Sequence, residues 1–347
     1  MLDHEAARPL AGQRVLLTGA SGFLGGHVAR QALAAGVELH TLGRSQPKLS
    51  QPHSVRPERS RGTAPDATPR LRSGRTVLGF GSLIHHQADL TDRAAVARAV
   101  AAVQPQALIH CAAPGVAYGS MPLAEMLAVA AGGTEALLGA CAALAARPRI
   151  VLLGSGFEYA PCDQPVSEDW PVVPSGSQYG AAKAAAACVA GAFVDRLAMT
   201  LLRPFHIYGA GEAARRLGPF LIAQARKGEP IELTACEQQR DFLHVDDCAA
   251  MVWAALTAKT IAAPGLEVFN LGSGQPIALR TFVDLVSAEL ARHGVTAQCR
   301  IGALPYRAGE PMVSLPDLAR WQSKSLRGPR VSLREGVADL VSAELEP

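Results

Sequence analysis

The sequence lacks the features that mark several large classes of protein. Charged residues make up only 18% of its 347 positions, and its seven cysteines are scattered without a Cys-x-x-Cys pair. Apolar runs such as 184–194 end before the roughly 20 residues that a bilayer span requires. These absences argue against a disulfide scaffold, a zinc site built on paired cysteines and a transmembrane protein. We expect reduced cysteines, no metal site and no membrane association.

The beginning of the chain is not typical of a secretory signal. Residues 1–13 include Asp3, His4 and Glu5 and contain no long apolar core, so we expect a cytoplasmic protein. Hydrophobic residues make up 49% of the sequence. At this length, that is enough for one large α/β domain with a smaller lobe.

Positive charge is concentrated in one part of the chain, although the formal net charge is only +3. The segment 46–78 is rich in Pro, Ser, Thr and Arg and is longer than the connections of compact α/β units. We interpret it as a solvated surface insertion, with a nucleic-acid patch as the alternative. Its basic residues are Lys48, Arg56, Arg59, Arg61, Arg70, Arg72 and Arg75, opposed only by Glu58 and Asp66. Because we interpret this segment as a solvated insertion, we expect no nucleic-acid partner.

Apolar runs alternate with helical patterns through the first half of the chain. Strands are predicted at 14–18, 37–42, 83–88, 107–111 and 150–153, and shorter ones at 231–234 and 268–270. Alternation of this kind requires crossover connections, so it predicts an α/β fold with a Rossmann-type, doubly wound parallel sheet. We assign residues 1–200 mainly to this dinucleotide-binding domain. Residues 201–347 are assigned mainly to a smaller C-terminal substrate lobe, with some strands and helices returning to the Rossmann core.

The first predicted turn has the composition of a dinucleotide-binding loop. Glycines there permit a tight turn and let backbone N–H groups approach a pyrophosphate at the start of a helix. A purely structural turn is the alternative, but the position between the first strand and the first helix favours a cofactor site. The residues assigned to it are Gly19, Ser21, Gly22, Phe23, Leu24 and Gly25.

The end of the second strand indicates which dinucleotide is bound. Sites for NAD usually place an acid there to bind the adenosine ribose, whereas this chain has Gly43-Arg44-Ser45. A guanidinium can pair with a 2′-phosphate, so Arg44 predicts NADP(H) as the preferred cofactor, with NAD(H) possible. A merely solvated Arg44 is the alternative.

Three residues have the spacing of a hydride-transfer site. Tyr179 and Lys183 lie four positions apart in a helix-forming stretch, so their side chains share a face. A nearby ammonium favours the phenolate, and we expect it to lower the pKa of Tyr179 towards the range in which protons exchange. Ser155 follows the fifth strand, where it can align the reacting oxygen. We assign these three residues to catalysis.

With these motifs the chain resembles the extended short-chain dehydrogenase/reductase family, in its nucleotide-sugar epimerase, dehydratase and reductase branch. The resemblance extends over nearly the whole chain, through the segments 202–209, 240–247, 269–274 and 307–310. It implies further cofactor contacts from Asp89, Leu90, Cys111, Ala112, Ala113 and Pro204, besides Tyr179 and Lys183. It also implies that Arg240 and Arg307 bind a substrate diphosphate and that Glu310 binds a ribose, within a substrate site that includes Phe157 and His206.

Several positions depart from the family's pattern. Ala130 and His206 stand where members often have Asn, so substrate or helix-bridging contacts can differ. Gly156 and Phe157 replace the adjacent Asp and Glu with which the 4,6-dehydratases eliminate water. Glu158 lies one place too far along to substitute for that pair. Dehydration is therefore disfavoured.

The leading hypothesis is an NADPH-dependent reductase of a nucleotide-linked 4-keto sugar. A nucleotide-sugar 4-epimerase with a tightly bound cofactor needs the same three catalytic residues and is the main alternative. A non-catalytic dinucleotide-binding regulator is a third hypothesis, against which the intact catalytic set argues. Family members also imply a homodimer through the Ala- and Leu-rich helices at 123–146 and 179–194, although burial within a monomer would produce the same composition.

Overall fold

The computed structural model describes residues 4–49, 76–78, 81–113, 121–258 and 263–346. Its strands are β1 (Arg14–Thr18), β2 (Glu38–Gly43), β3 (Thr76–Leu78), β4 (Gly81–Gln87), β5 (Ala107–His110), β6 (Arg149–Leu153), β7 (Ala198–Pro204), β8 (His206–Tyr208), β9 (Ile231–Leu233), β10 (Gln239–His244), β11 (Gly265–Leu271), β12 (Pro276–Ala278), β13 (Cys299–Ile301) and β14 (Val313–Ser314).

The α-helices of the described residues are α1 (Phe23–Ala34), α2 (Arg93–Val103), α3 (Leu123–Leu127), α4 (Gly133–Ala142), α5 (Gln178–Gly191), α6 (Leu217–Lys227), α7 (Val245–Thr257), α8 (Leu279–Arg292), α9 (Ala319–Ser323) and α10 (Leu333–Leu345). A π-helical segment, Ala128–Gly132, joins α3 to α4. Short 3-10 helices cover Glu5–Leu10 and Gly156–Glu158.

The predicted doubly wound parallel sheet is confirmed. Its strand order is β11-β7-β6-β5-β1-β2-β4-β3, and every neighbouring pair is parallel except β3 and β4. The chain runs outwards from β1 through β2 to β4 and then returns to β5 on the other side. The sheet therefore has its topological switch point between β1 and β5, where α/β folds form their ligand crevice.

The end of the predicted insertion 46–78 is part of this sheet. Residues 76–78 form β3, which pairs antiparallel with β4 at the sheet edge. The sequence Thr-Val-Leu suits an edge strand, because β-branched residues favour extended backbone. The basic residues of 50–75 lie outside the described residues, whereas Lys48 is exposed.

Helices cover both faces of the large sheet. One face packs against α1 and α7, and the other against α2, α4 and α5. All four residues of β5 are buried, as expected for a parallel strand covered on both faces. The two apolar cores hold the strands rigidly, so the loops at their carboxyl ends have fixed positions.

A smaller lobe is built from the later part of the chain. Strand β10 pairs with β8, β12 and β14, and β9 pairs with β13. Helices α6, α8 and α10 pack together around a core that includes Phe282 and Leu340. Strands β7 and β11 belong to the large sheet although they follow residue 197, so the chain crosses between the two parts more than once.

One helix of the described residues, Leu123–Ala142, is long and apolar enough to cross a membrane by length and composition alone. Its mean hydropathy is 1.3, and 39% of it is buried within the fold. It packs on α2 and α5, and core helices of folded proteins meet the same criteria.

Candidate active site

The carboxyl ends of the parallel strands bring the predicted site residues to one edge of the sheet. The glycine-rich turn follows β1, Arg44 follows β2 and Asp89 follows β4. Ser155 follows β6, and Pro204 ends β7. Because the switch point lies between β1 and β5, these residues surround a single crevice.

The glycine-rich turn approaches the loop after β5 more closely than any side chain would allow. Gly19 has a φ of +76°, and a Cβ on it would lie 2.5 Å from the Ala112 nitrogen and 2.6 Å from the Cys111 carbonyl carbon. Helix α1 begins at Phe23, and no side chain caps its N-terminus. Its first N–H groups can therefore bind an anionic pyrophosphate. These features fit a dinucleotide.

Asp89 and Arg44 lie close to each other at the other side of this crevice. One Asp89 carboxylate oxygen accepts hydrogen bonds from the Thr91 nitrogen at 2.9 Å and from the Thr91 hydroxyl at 2.8 Å. These bonds hold the pKa of Asp89 below its usual value, and the charge of Arg44 lowers it further. Both side chains are exposed and can contact an adenosine ribose. The other predicted contacts, Leu90, Cys111, Ala112 and Ala113, lie within three residues of the ends of β4 and β5.

Ser155, Tyr179 and Lys183 meet beside this crevice. The Ser155 hydroxyl lies close enough to Tyr179 to lower the pKa of the phenol. The buried Lys183 ammonium donates to the carbonyl oxygen of Leu153, the last residue of β6, at 2.5 Å. Ser177 caps the N-terminus of α5, which fixes the helix that carries Tyr179 and Lys183. The arrangement can place a phenol and an aligned hydroxyl on one carbonyl oxygen.

The expected lowering of the Tyr179 pKa is not found. Burial raises the pKa of Tyr179 to about 12, and the negative charge of Glu158 adds to this effect. Arg216 and the hydrogen bond from Ser155 oppose the rise without cancelling it. Lys183 is directed to the Leu153 carbonyl instead. Tyr179 is therefore a protonated group, suited to donating a proton.

An aromatic wall adjoins the catalytic tyrosine. The ring of Phe157 lies edge-to-face with Tyr179 at 6.3 Å and with His206 at 6.4 Å between centroids. His206 also bonds the Ser314 hydroxyl through Nε2 at 3.0 Å. Burial, with the charges of Arg240 and Arg216, lowers the pKa of His206 to about 3. His206 is therefore a neutral hydrogen-bonding group, and Phe157 is 42% exposed.

Comparison with known proteins identifies the family to which this site belongs. The model of the NAD dependent epimerase/dehydratase family matches residues 15–272, which cover the glycine-rich turn and all three predicted catalytic residues. The chain belongs to the NAD dependent epimerase/dehydratase family. This confirms the resemblance to extended short-chain dehydrogenases and makes the protein an NAD(P)-dependent enzyme.

Several known proteins are similar to this chain, some of them over nearly their whole length. A probable UDP-glucuronate 4-epimerase of Rhizobium meliloti (strain 1021) is 27% identical, covering 94% of this chain and 96% of the relative. A dTDP-6-deoxy-L-talose 4-dehydrogenase (NAD(P)(+)) of Kitasatospora kifunensis is 30% identical, over 61% of this chain and 67% of the relative. The structure of MoeE5 with UDP-glucuronic acid and NAD has a TM-score of 0.74 and 26% identity, covering 95% of this chain and 98% of MoeE5.

This family member departs from the pattern around Lys183. Ala130, which replaces the frequent Asn, is buried in the π-helical segment, and its carbonyl oxygen accepts a hydrogen bond from Thr134 at 2.6 Å. A small cavity between α4, α5 and the sheet is lined by Ala130, Thr134, His110 and Lys183. The substitution leaves space next to the buried ammonium where an amide side chain would otherwise lie.

The two arginines that were expected to bind a diphosphate have different surroundings in the structure. Arg240 is buried, and its guanidinium donates to the Pro311 oxygen at 2.8 Å and to Glu310 at 3.4 Å. Arg240 and Glu310 are thus brought together, and Arg240 holds the segment that carries Glu310. Arg307 is exposed and forms no side-chain bond within the described ranges. A diphosphate contact by Arg240 stays a prediction.

Sequence reasoning missed two charged pairs of this site. Arg216 precedes α6 and donates to Glu212 at 3.1 Å, and its charge acts on both Tyr179 and His206. A basic residue at a helix N-terminus opposes the helix dipole, and this was the available signal. The buried Glu158 pairs with Arg203 at 2.8 Å. The signal for this second pair was the charged Glu158, which lies three residues after Ser155 in the sequence.

Proposed function

We propose that this enzyme reduces the 4-keto group of a sugar nucleotide, with NADPH as the preferred reductant. The observation that carries the proposal is the Tyr179 hydroxyl, which lies near Ser155 and whose pKa burial raises to about 12. Reduction of a carbonyl requires a proton donor at the oxygen, and a group with a pKa of about 12 holds its proton throughout the neutral range.

Each catalytic residue has a defined task in this reaction. Bound NADPH supplies the hydride to the carbonyl carbon. Ser155 aligns the carbonyl oxygen by a hydrogen bond, and Tyr179 transfers its proton to that oxygen. Lys183, held by the Leu153 carbonyl oxygen, presents its remaining N–H groups to the nicotinamide ribose.

The relatives and the charges near the crevice support a nucleotide-linked sugar as the substrate. MoeE5 binds UDP-glucuronic acid together with NAD, and the talose enzyme is a 4-dehydrogenase. In this chain Arg307 offers a free cation for a diphosphate, and Glu310, held by Arg240, offers a carboxylate for a nucleotide ribose. Phe157 and His206 would face the sugar.

The preference for NADPH rests on Arg44. It stands directly after β2, and the described end of that strand carries no acid, so a 2′-phosphate meets a cation rather than a carboxylate. We expect Arg44→Glu to weaken NADPH binding at least tenfold relative to NADH. Titration of the two cofactors followed by protein fluorescence measures this ratio. An unchanged ratio would remove the reason for preferring NADPH.

A nucleotide-sugar 4-epimerase is the second candidate function, and the full-length similarity to a probable UDP-glucuronate 4-epimerase favours it. Epimerisation uses the same three catalytic residues but consumes no cofactor. A panel of sugar nucleotides and their 4-keto forms should therefore be incubated with the purified protein, once with NADPH and once with oxidised NAD(P)+. Stoichiometric loss of NADPH supports the reductase, and a new isomer without loss of NADPH supports the epimerase. A protein that does neither would contradict both.

We also propose a cytoplasmic homodimer. The apolar helix Leu123–Ala142 is 39% buried within one chain, and the neighbouring α5 exposes Cys188 and Gly191. Small residues allow close approach of helices, so a second copy can cover this surface. Light scattering should give twice the mass of the chain. Cys188→Arg should shift the mass towards the monomer, whereas a monomeric parent protein would refute the proposal.

A further inference from the structure

Glu158 is a carboxylate that lies directly beneath the catalytic residues but does not reach the crevice. Its side chain is 0% exposed, although it is only three residues beyond Ser155. Such a residue cannot bind substrate or replace the water-eliminating acids of a dehydratase. Burying a charge is costly unless it is paired and hydrogen-bonded, so its contacts should explain why it is there.

Both carboxylate oxygens of Glu158 accept hydrogen bonds from rigid partners. One oxygen accepts from the Ser155 backbone nitrogen at 2.7 Å, and the other accepts from Arg203 Nε at 2.8 Å. The Ser155 side chain in turn accepts from the Phe157 nitrogen at 3.2 Å. This reciprocal capping fixes the backbone of Ser155 and the short helix after it.

Arg203, the partner of Glu158, is connected to the large sheet by hydrogen bonds. Arg203, on β7, donates to the Tyr159 hydroxyl at 3.0 Å, and that hydroxyl donates to Asn270 Oδ1, on β11, at 2.7 Å. A Cβ at Gly154 would lie 2.5 Å from the Glu158 carboxylate, so the carboxylate occupies the space that a side chain at position 154 would need. Glu158 is therefore held between three strands.

The negative charge of Glu158 acts on both titratable catalytic residues. It raises the pKa of Lys183, opposing the larger lowering by burial, and it raises the pKa of Tyr179. The other groups that face Lys183 are Cys111 and His110, and Arg216 and Ser155 also face Tyr179. Arg203 and Tyr159 complete the surroundings of Glu158. Glu158 is thus the carboxylate that both catalytic groups share.

We propose that Glu158 is a positioning residue of this enzyme: its buried carboxylate fixes the backbone of Ser155 and supplies the negative charge that Lys183 and Tyr179 share. The residue acts only through its neighbours. This inference goes beyond the proposed function, because it concerns the charge state of the site and not the identity of the substrate.

The test is a titration of Lys183 in the cofactor-free protein, which needs no substrate. The chain has five lysines, so NMR of protein labelled at lysine Cε resolves few signals, and Lys183→Arg identifies the one that belongs to Lys183. Glu158→Gln keeps an acceptor for the Ser155 nitrogen but removes the charge. The double variant Glu158→Gln/Arg203→Met removes both charges and leaves no unpaired buried ion, which protects folding.

We expect the double variant to lower the pKa of Lys183 by about one unit or more, since a nearby opposite charge typically shifts a pKa by 1–3 units. Tyr159→Phe is the matched control, because it breaks the same network while keeping Glu158 charged. It should leave the Lys183 titration unchanged. An unchanged pKa in the double variant, or an equal shift in Tyr159→Phe, would overturn the proposal.

A second readout separates positioning from structural support. For a sugar nucleotide that the parent protein turns over, the double variant should lose kcat at a pH about one unit lower than the parent protein does. KM should change less, because Glu158 touches nothing in the crevice. A rise in KM with an unchanged kcat would contradict the assigned role. An inactive parent protein would count against the proposed function and leave the Lys183 titration as the deciding measurement.

Discussion

The close approach of Gly19 to the loop after β5 allows a sharp test of how the cofactor site is built. Gly19→Ala places a methyl group 2.5 Å from the Ala112 nitrogen and 2.8 Å from its Cα. These are backbone atoms, so they cannot move aside as a side chain would. The positive φ of +76° costs about 1–2 kcal/mol for a non-glycine residue. The overlap adds about 1–3 kcal/mol.

The matched control is Gly12→Ala. Gly12 has nearly the same φ, +72°, but no heavy atom lies within 4 Å of its added Cβ. We expect a loss of about 1–2 kcal/mol in the free energy of unfolding for the control and about 2–5 kcal/mol for Gly19→Ala. Urea unfolding measures both values.

Cofactor binding provides the second half of this test. Relief of the overlap must separate the glycine-rich turn from the loop after β5, so Gly19→Ala should weaken dinucleotide binding at least tenfold, whereas the control should not. Tenfold corresponds to about 1.4 kcal/mol. If Gly19→Ala were as stable as Gly12→Ala and bound the cofactor as tightly as the parent protein, the close approach of the glycine-rich turn to the loop after β5 would not exist as described.

Two further predictions concern titratable groups. Tyr179→Phe should lower turnover about 100- to 10,000-fold with little change in cofactor affinity, and the parent rate of reduction should not fall between pH 6 and 9, because the pKa of Tyr179 is about 12. Turnover within tenfold of the parent, or a decline near pH 7, would contradict the assignment. Burial raises the pKa of Glu212 from 4.5 to about 7, so the folded protein holds a proton that the unfolded chain releases. Stability should therefore fall by about 3 kcal/mol as the pH rises from about 4.5 to 7. Thermal unfolding at several pH values should show this loss in the parent protein and not in Glu212→Gln, and parallel curves would contradict it.

The position of the site was more predictable than its electrostatics. Residue spacing indicates that Tyr179 and Lys183 share a helix face, because the helix period is local. The direction of the Tyr179 pKa depends instead on burial and on Glu158 and Arg216, which come from different parts of the chain. The expected effect of Lys183 was wrong for the same reason: its ammonium bonds the Leu153 carbonyl oxygen, a partner that spacing along the helix cannot reveal.

The roles of the distant arginines show the same limit. Arg240 and Arg307 look equivalent as isolated cations in a sequence. In the fold, Arg240 is enclosed by the segment 310–312 and bonds its carbonyl oxygens, while Arg307 remains exposed. Residues about seventy positions apart decide which guanidinium stays available for a ligand.

The sequence by itself determined the parallel α/β sheet and predicted the dinucleotide turn and the catalytic set, because strand and helix periods, glycine turns and i, i+4 spacing are properties of neighbouring residues. Tertiary structure alone decided which charges face each other. It joined Glu158 to Arg203, placed Arg216 near Tyr179 and paired β3 with β4. The physical reason is that burial and Coulomb interactions depend on distance in space, and the chain's order does not specify that distance.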